Sequence, residues 1–168
     1  MGQETVDRGP VTGGTGRSAP GLDEVDRRIL DELTRDGRIS IRTLAERVHV
    51  SRTNAYARME RLVRDGAITG FTARVAPEPA GLGTSAYIAL TIRQDTWREV
   101  SAELAQVRYV EHVALLSGEH DVLALVRAPD NATLRDVVLD RVQRIAGVLS
   151  TRSWLVFEEY DGQTSPWA

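Results

Sequence analysis

The sequence predicts an α+β protein with an N-terminal winged helix-turn-helix and a C-terminal ferredoxin-like βαββαβ module. Three observations support this fold class. Apolar residues recur at helical spacing in three short segments between residues 22 and 62. After residue 84, strand-like and helix-like runs follow one another in the order βαββαβ. Between the two modules, Pro77, Pro79, Gly81 and Gly83 interrupt both patterns and predict a hinge.

The N-terminal module is centred on two amphipathic segments that are separated by a break at residues 49–51. Ser51 occupies the N-cap position of the second segment, where its hydroxyl satisfies an orphan backbone donor. His49 stands where the turn needs a left-handed backbone, which histidine tolerates better than most residues. Small Ala45 and Ala55 let the two helices cross closely. A supporting helix is predicted over residues 22–35, and Ala67–Val75 is predicted to form the β-hairpin of the wing.

The second segment carries a polar face that is suited to the DNA major groove. Arg52 and Asn54 are best placed to reach base edges, since arginine prefers guanine and asparagine prefers adenine. Tyr56 is expected to contact a thymine methyl group or a phosphate, and the remaining residues are expected to position the helix on backbone phosphates. The alternative is a solvated helix face with no ligand. The candidate DNA-binding residues are Ser40, Arg42, Ser51, Arg52, Thr53, Asn54, Tyr56, Arg58 and Arg61.

The charge of the chain is divided between the modules. The net charge is −3, but residues 38–64 carry seven arginines against two glutamates, a local charge of +5. From residue 78 onward, thirteen acidic residues face eight arginines, a local charge of −5. This asymmetry indicates a basic nucleic-acid-reading module joined to an acidic module with another task. The sequence has no cysteine and no apolar run of the roughly 20 residues that a membrane span needs.

The C-terminal module is predicted to form four strands, over residues 86–93, 110–116, 122–126 and 150–160. One helix is predicted over residues 97–107 and a second from a cap at Asn131 to Gly147. Both helices cover one face of the sheet, so the opposite face, which holds Tyr87, predicts dimerisation through the sheet. The expected organisation is a disordered leader (1–21), a DNA-binding domain (22–76), a hinge (77–84), an effector-binding and oligomerisation domain (85–160) and a tail (161–168).

Several motifs in one order resemble the Lrp/AsnC, or feast/famine, family of transcriptional regulators. In the first module they are LDEVDRRILDELTRDGR, LAERVHVS and RMERLVRDGAITGFTARVAPEPAGLG. In the second they are LSGEHDVLALV and GVLSTRSWLVFEEY. The resemblance runs from about Leu22 to Tyr160. It implies homodimers that assemble into larger homo-oligomers, tetramers to octamers, and a small effector, commonly an amino acid.

The resemblance also implies an effector loop between the second and third strands. Here that loop is Gly118, Glu119, His120 and Asp121, and His120 replaces the usual aromatic residue. The loop amides are suited to a carboxylate and Asp121 to an ammonium group, the two charges of a free amino acid. Thr151 is a candidate neighbour. The alternative is an ordinary hairpin in which Gly118 makes the turn and Asp121 bonds local backbone.

These observations predict a sequence-specific DNA-binding regulator that responds to a small effector, in the cytoplasm and associated with the nucleoid. Its expected partners are a pseudo-palindromic double-stranded operator and further copies of the chain, with no membrane and no cofactor. No catalytic constellation and no metal-ligand spacing is found among the three histidines, so an enzyme is not expected. Two alternatives stay open: a ligand-independent architectural DNA-binding protein, and a metabolic sensor or enzyme that uses the βαββαβ module.

Overall fold

The computed structural model describes residues 21–160 and residue 162. The described residues form two compact units, one over residues 21–74 and one over residues 75–159. Apart from Gly21 and Gly162, the predicted leader and tail lie outside the described residues.

The N-terminal unit consists of three helices around a small apolar core. They are α1 (Glu24–Arg35), α2 (Ile41–Arg47) and α3 (Arg52–Arg64). Ile29 of α1, Leu44 of α2 and Leu62 of α3 are almost completely buried against one another. Ala45 and Ala55 are buried as well, which is consistent with the predicted close crossing of α2 and α3. Each large side chain removed from water contributes about 1.5–3 kcal/mol, so this core holds the helix pair in position.

The turn between α2 and α3 has the predicted backbone. His49 has φ 58°, in the left-handed region. The N–H of Val50 donates to the carbonyl of Ala45 at 3.0 Å, and that of His49 donates to Glu46. This pair of bonds is a Schellman ending, in which the left-handed residue lets the last carbonyls of a helix find donors. The Ser51 hydroxyl then accepts from the N–H of Asn54 at 3.2 Å, so Ser51 is the N-cap of α3.

The predicted β-hairpin at Ala67–Val75 is not present. No strand is assigned among residues 67–76, and the side chains of Phe71 and Val75 are more than half exposed. Ile68 is tied to the helices, through its N–H to the carbonyl of Leu62 at 3.0 Å and through contact with the core. The physical reason is the lack of a second strand: a segment this short gains little from β structure unless it pairs and buries one face. The N-terminal unit is therefore a helix-turn-helix followed by a segment that forms no β-hairpin.

The C-terminal unit is a four-stranded antiparallel sheet with its helices on one face. Its strands are β1 (Thr84–Ile92), β2 (Val110–Leu115), β3 (Val122–Ala128) and β4 (Val148–Val156). Its helices are α4 (Trp97–Gln106) and α5 (Asn131–Asp136). The strand order β2-β3-β1-β4 is that of the predicted ferredoxin-like fold. Ile88, Leu90, Leu104, Val122 and Val142 are completely buried in the core between sheet and helices.

Two details of the C-terminal unit differ from the sequence-based prediction. Asp130, not Asn131, caps α5, and its carboxylate accepts from the N–H of Thr133 at 2.7 Å. The predicted single helix up to Gly147 is also not continuous. After α5 the chain passes through a π-helical turn (Val137–Arg141) and a 3₁₀ turn (Val142–Arg144). Both turns still direct apolar side chains into the core, so the helical periodicity indicated burial correctly without revealing the change of helix type.

Candidate DNA-reading surface and effector loop

The first turn of α3 presents side chains to solvent. Arg52, Thr53 and Asn54 are all exposed and directly follow the Ser51 cap. Within the described part of the chain, the side chains of Arg52 and Thr53 make no hydrogen bond and no ion pair. Arginine carries five donors in a planar fork, so an uncommitted guanidinium at a helix start is suited to a base edge or a phosphate.

Three other candidates, Ser40, Arg42 and Tyr56, form hydrogen bonds or ion pairs within their own unit. Arg42 forms an exposed ion pair with Glu46 at 3.0 Å, a contact of little strength that a phosphate can replace. The Ser40 hydroxyl caps α2 by accepting from the N–H of Thr43 at 3.1 Å. Tyr56 is bonded to Glu60, and this hydrogen bond raises the pKa of the Tyr56 phenol. Tyr56 and Arg42 remain exposed to solvent.

Arg58 and Arg61 are held by a buried carboxylate. Asp26 of α1 is 1% exposed. Both of its oxygens accept from the Arg61 guanidinium at 2.6 Å, and one also accepts from Arg58 at 2.8 Å. Arg58 donates in addition to Asp23 at 2.6 Å. Charge-assisted bonds of this kind are stronger than hydrogen bonds between neutral groups, so the network fastens α3 to α1.

The acids of this network stay ionised because of their partners. Burial by itself raises the pKa of Asp26, but hydrogen bonds from Arg61 and Arg58 outweigh burial and leave that pKa below its ordinary value. The pKa of Asp23 is also lowered, first by the N–H of Asp26 and then by Arg58. The two carboxylates are therefore charged near neutral pH and keep the two guanidiniums engaged.

This network revises the expectation for Arg58 and Arg61. Both side chains were expected to contact DNA phosphates, whereas their donors are directed at Asp23 and Asp26 within the unit. Asp26 was not among the candidate residues that the sequence indicated. The available signal was its position, because Asp26 lies three and four residues before Ile29 and Leu30 and so shares their buried helix face.

The predicted effector loop joins β2 to β3. The N–H of Leu116 donates to the carbonyl of Asp121 at 2.8 Å and closes the loop. The Asp121 carboxylate accepts from the N–H of Ile92 at 2.9 Å, next to the point where the pairing of β1 and β4 shifts register. One oxygen of Asp121 is thus committed to the backbone of β1, whereas the hairpin alternative expected a bond to local backbone.

The neighbours of this loop lie on the face of the sheet that the helices leave uncovered. The His120 ring meets Trp154 edge to face at a centroid distance of 6.1 Å. Its Nδ1 lies 3.5 Å from the Thr91 hydroxyl. Arg152 lies 3.9 Å from the carboxylate of Glu119. Sequence reasoning missed Arg152, Trp154 and Thr91, because strand pairing brings them to the loop from residues distant in the sequence.

Thr151 does not join this group. It pairs with Leu90, and residues directly opposite in an antiparallel sheet share a face. Leu90 points into the core, so Thr151 lies on the helix-covered face, where its hydroxyl accepts from Gln143 at 2.8 Å. Trp154 pairs with Tyr87 and Arg152 with Ala89, which places both on the open face. The structure thus separates Thr151 from the loop residues with which it was expected to act.

A larger groove of about 880 Å³ lies elsewhere in this unit, between α4 and the turns that follow α5. None of the predicted effector residues lines it. The loop is the better candidate on chemical grounds, since it combines backbone amides, charged groups and an aromatic surface. In the described ranges, no helix is long and apolar enough to cross a membrane, and no cluster of metal-ligating side chains was found.

Two family models match this chain. The AsnC-type helix-turn-helix domain matches residues 22–63, and the Lrp/AsnC ligand binding domain matches residues 85–166. The leucine-responsive regulatory protein of Salmonella typhimurium is 34% identical over 146 residues, which cover 85% of this chain and 89% of that protein.

Solved structures agree with the family models. The transcriptional regulator NMB0573 of Neisseria meningitidis, in complex with L-methionine, matches with a TM-score of 0.79 and 30% identity, covering 86% of this chain and 96% of that one. The feast or famine regulatory protein Rv3291c of M. tuberculosis, also complexed with L-methionine, matches with a TM-score of 0.79 and 30% identity, covering 88% and 100%. With a reading helix in one unit and a ligand-binding fold in the other, the chain belongs to the Lrp/AsnC family of transcriptional regulators.

Proposed function

We propose that this regulator binds a specific pseudo-palindromic operator through α3 and that a free amino acid controls its assembly or its DNA affinity. The observation that carries the proposal is the capped, exposed first turn of α3, where Arg52 and Thr53 have no intramolecular partner among the described residues. Helix-turn-helix proteins place these N-terminal residues against base edges. The DNA-binding domain is assigned to residues 22–76, and the effector and oligomerisation domain to residues 85–160.

The open face of the sheet supports homodimerisation. Tyr87 is 37% exposed and Trp154 46% exposed on that face, and Leu125 of β3 pairs with Tyr87 and so shares the face. An apolar sheet face without a covering layer is suited to an identical face of a second copy. A dimer presents two α3 helices to half-sites about 34 Å apart, one helical turn of DNA. Further assembly of these dimers into tetramers or octamers is part of the proposal. The proposed location is the cytoplasm, where the protein associates with the nucleoid.

The effector part of the proposal places a free amino acid at the loop Gly118–Asp121. Two structural relatives are complexes with L-methionine, which supports the chemical class. The loop supplies backbone amides for a carboxylate, and Glu119 and the second oxygen of Asp121 suit an ammonium group. His120 and Trp154 offer an apolar surface beside the loop for the side chain of the ligand. Thr151 is dropped from the site because it lies on the other face.

The DNA part is tested by selecting binding sites from a random duplex library with the full-length protein. The wild type is expected to enrich an inverted repeat, and Arg52→Ala to lose about tenfold or more in affinity for it. Arg141→Ala, in the other unit, serves as the matched control and should leave affinity unchanged. Equal affinity of the wild type for the selected and a scrambled site would instead favour an architectural DNA-binding protein.

The effector part is tested by a thermal-shift screen of the twenty amino acids, followed by sizing with each hit. Asp121→Asn is the informative variant, because the amide oxygen still accepts from the N–H of Ile92 while the charge is lost. We expect this variant to fold and to lose the response. If no amino acid shifts the wild type at millimolar concentration, the proposed effector class is wrong.

A further inference from the structure

The side-chain amide of Asn54 has a defined orientation. Its Oδ1 accepts from Nε of Arg58 at 2.9 Å. A guanidinium has only donors, so the atom that faces it must be the amide oxygen and cannot be the nitrogen. Asn54 is exposed in the first turn of α3, next to Arg52. Its NH₂ group is therefore the part of the amide that is left for a ligand.

Arg58 is not able to turn away easily, because its other end is anchored. The same guanidinium donates to Asp23 at 2.6 Å and to Asp26 at 2.8 Å. Asp26 is buried and is held in turn by the Arg61 guanidinium at both of its oxygens. A relay of hydrogen bonds thus runs from the buried carboxylate through Arg58 to the amide of Asn54, and it sets which face of that amide meets DNA.

This orientation changes the base preference that asparagine ordinarily has. Bidentate recognition of adenine needs the amide oxygen to accept from N6 while the nitrogen donates to N7. With its oxygen turned toward the Arg58 guanidinium and hydrogen-bonded there, Asn54 directs the two donors of its NH₂ group at a ligand. Guanine presents two neighbouring acceptors in the major groove, N7 and O6, which can both accept from the NH₂ group of Asn54. Adenine presents N7 as an acceptor but its N6 amino group is a donor, which cannot accept from that NH₂ group.

We infer that Asn54 is a specificity-determining residue that selects guanine over adenine, and that Arg58 is the positioning residue that imposes this choice. The inference rests on the proposed function, since it concerns the base that the reading helix selects. It replaces the adenine preference that the sequence predicted for Asn54. The expected discrimination is roughly fivefold or more, the effect of one good base contact.

The test compares sites selected from a random duplex library by the full-length wild type and three variants. Asn54→Ala identifies the base position concerned, because the preference there should disappear. The wild type should favour guanine at that position. Arg58→Ala releases the amide, which then turns, so the preference there should move to adenine. Arg61→Ala is the matched control: it also removes a guanidinium from Asp26 but does not touch Asn54, and it should keep guanine.

Three results would overturn the inference. They are adenine at the Asn54 position in the wild type, an unchanged profile in Asn54→Ala, and retention of guanine by a folded Arg58→Ala. If Arg58→Ala does not fold, Asn54→Asp is the variant to compare. Its carboxylate still accepts from Arg58 but has no donor, so the preference for guanine at that position should disappear. Failure of the wild type to enrich any sequence would overturn the proposed function itself, and that outcome is distinct from enrichment with the wrong base.

Discussion

Replacing Asp26 by asparagine removes a buried charge and keeps the shape of the side chain. In the native unit Asp26 accepts from Arg61 at 2.6 Å through both oxygens, from Arg58 at 2.8 Å, and from the N–H of Asp23 at 3.1 Å. Breaking a buried ion pair from one side costs about 3–5 kcal/mol, because a charge is left without its partner. The side chains of Arg58 and Arg61 are 24% and 30% exposed, so their guanidiniums regain some hydration, which lowers the expected loss to about 2–3 kcal/mol.

Amide hydrogen exchange on the full-length protein measures this loss where it occurs. Protection of the amides in α1 and α3 should fall in Asp26→Asn. Trp97 and Trp154 belong to the C-terminal unit, so their fluorescence during urea unfolding reports that unit and should be unchanged. Glu24→Gln is the matched control on the same helix: its partner Arg28 forms a surface pair, and no measurable change is expected. Full protection of α1 and α3 in Asp26→Asn would refute the assigned role of the network.

The pH dependence of the same unit provides a second readout. The folded-state pKa of Asp26 is lowered, because the bonds from Arg61 and Arg58 outweigh the effect of burial. A lowered pKa means that the stabilisation is complete above the unfolded pKa, near 3.9, and is lost as the pH falls toward the folded value. Protection of α1 and α3 should therefore decline below about pH 4 in the wild type, and Asp26→Asn should show a shallower decline.

Three further predictions concern other parts of the molecule. Arg42→Ala should reduce the steepness of the plot of log K against log salt concentration by about 0.9 for each phosphate that is no longer neutralised. Arg61→Ala should leave that steepness unchanged, because the Arg61 guanidinium is bound to Asp26. Equal slopes in both variants would contradict the assignment of Arg42, and not Arg61, to a phosphate. Gly147 has φ 101°, and a Cβ at this position would lie 2.2 Å from the Thr96 hydroxyl. Gly147→Ala should therefore destabilise the C-terminal unit by more than about 1 kcal/mol. Urea unfolding followed by tryptophan fluorescence measures this loss. Tyr87→Asp places a charge on the open sheet face and should shift the protein to a smaller species in sizing, whereas an unchanged elution volume would exclude this face as the dimer interface.

The helix-turn-helix was predictable because its signals are local. Ser51 caps α3 and His49 takes the left-handed backbone as the sequence indicated, since both depend on a few neighbouring residues. The strand order also followed from the succession of elements, because few topologies connect βαββαβ compactly. The prediction of a hairpin at Ala67–Val75 was wrong, because its apolar pattern suits a strand but does not show whether a second strand is available to pair with it.

The candidate sites depended on distant pairings that the sequence did not show. Thr151 and Trp154 are three residues apart on β4, yet strand alternation and the pairing with β1 place them on opposite faces. Asp121 was correctly located in the loop, but its bond to Ile92 depends on the neighbouring strand.

By itself, the sequence determined the three helices of the N-terminal unit, the four strands of the sheet, where α3 begins and how the charge is divided between two modules. Each of these follows from periodicity, caps or composition within a short stretch of chain. Only the tertiary structure decided which polar side chains of the reading helix remain available to a ligand. The sequence predicts DNA contacts for both Arg52 and Arg58, but Asp26, more than thirty residues before Arg58, engages Arg58 and leaves Arg52 exposed. A buried charge is costly unless it is paired, and the packing of the helices determines which cation lies close enough to pair with it.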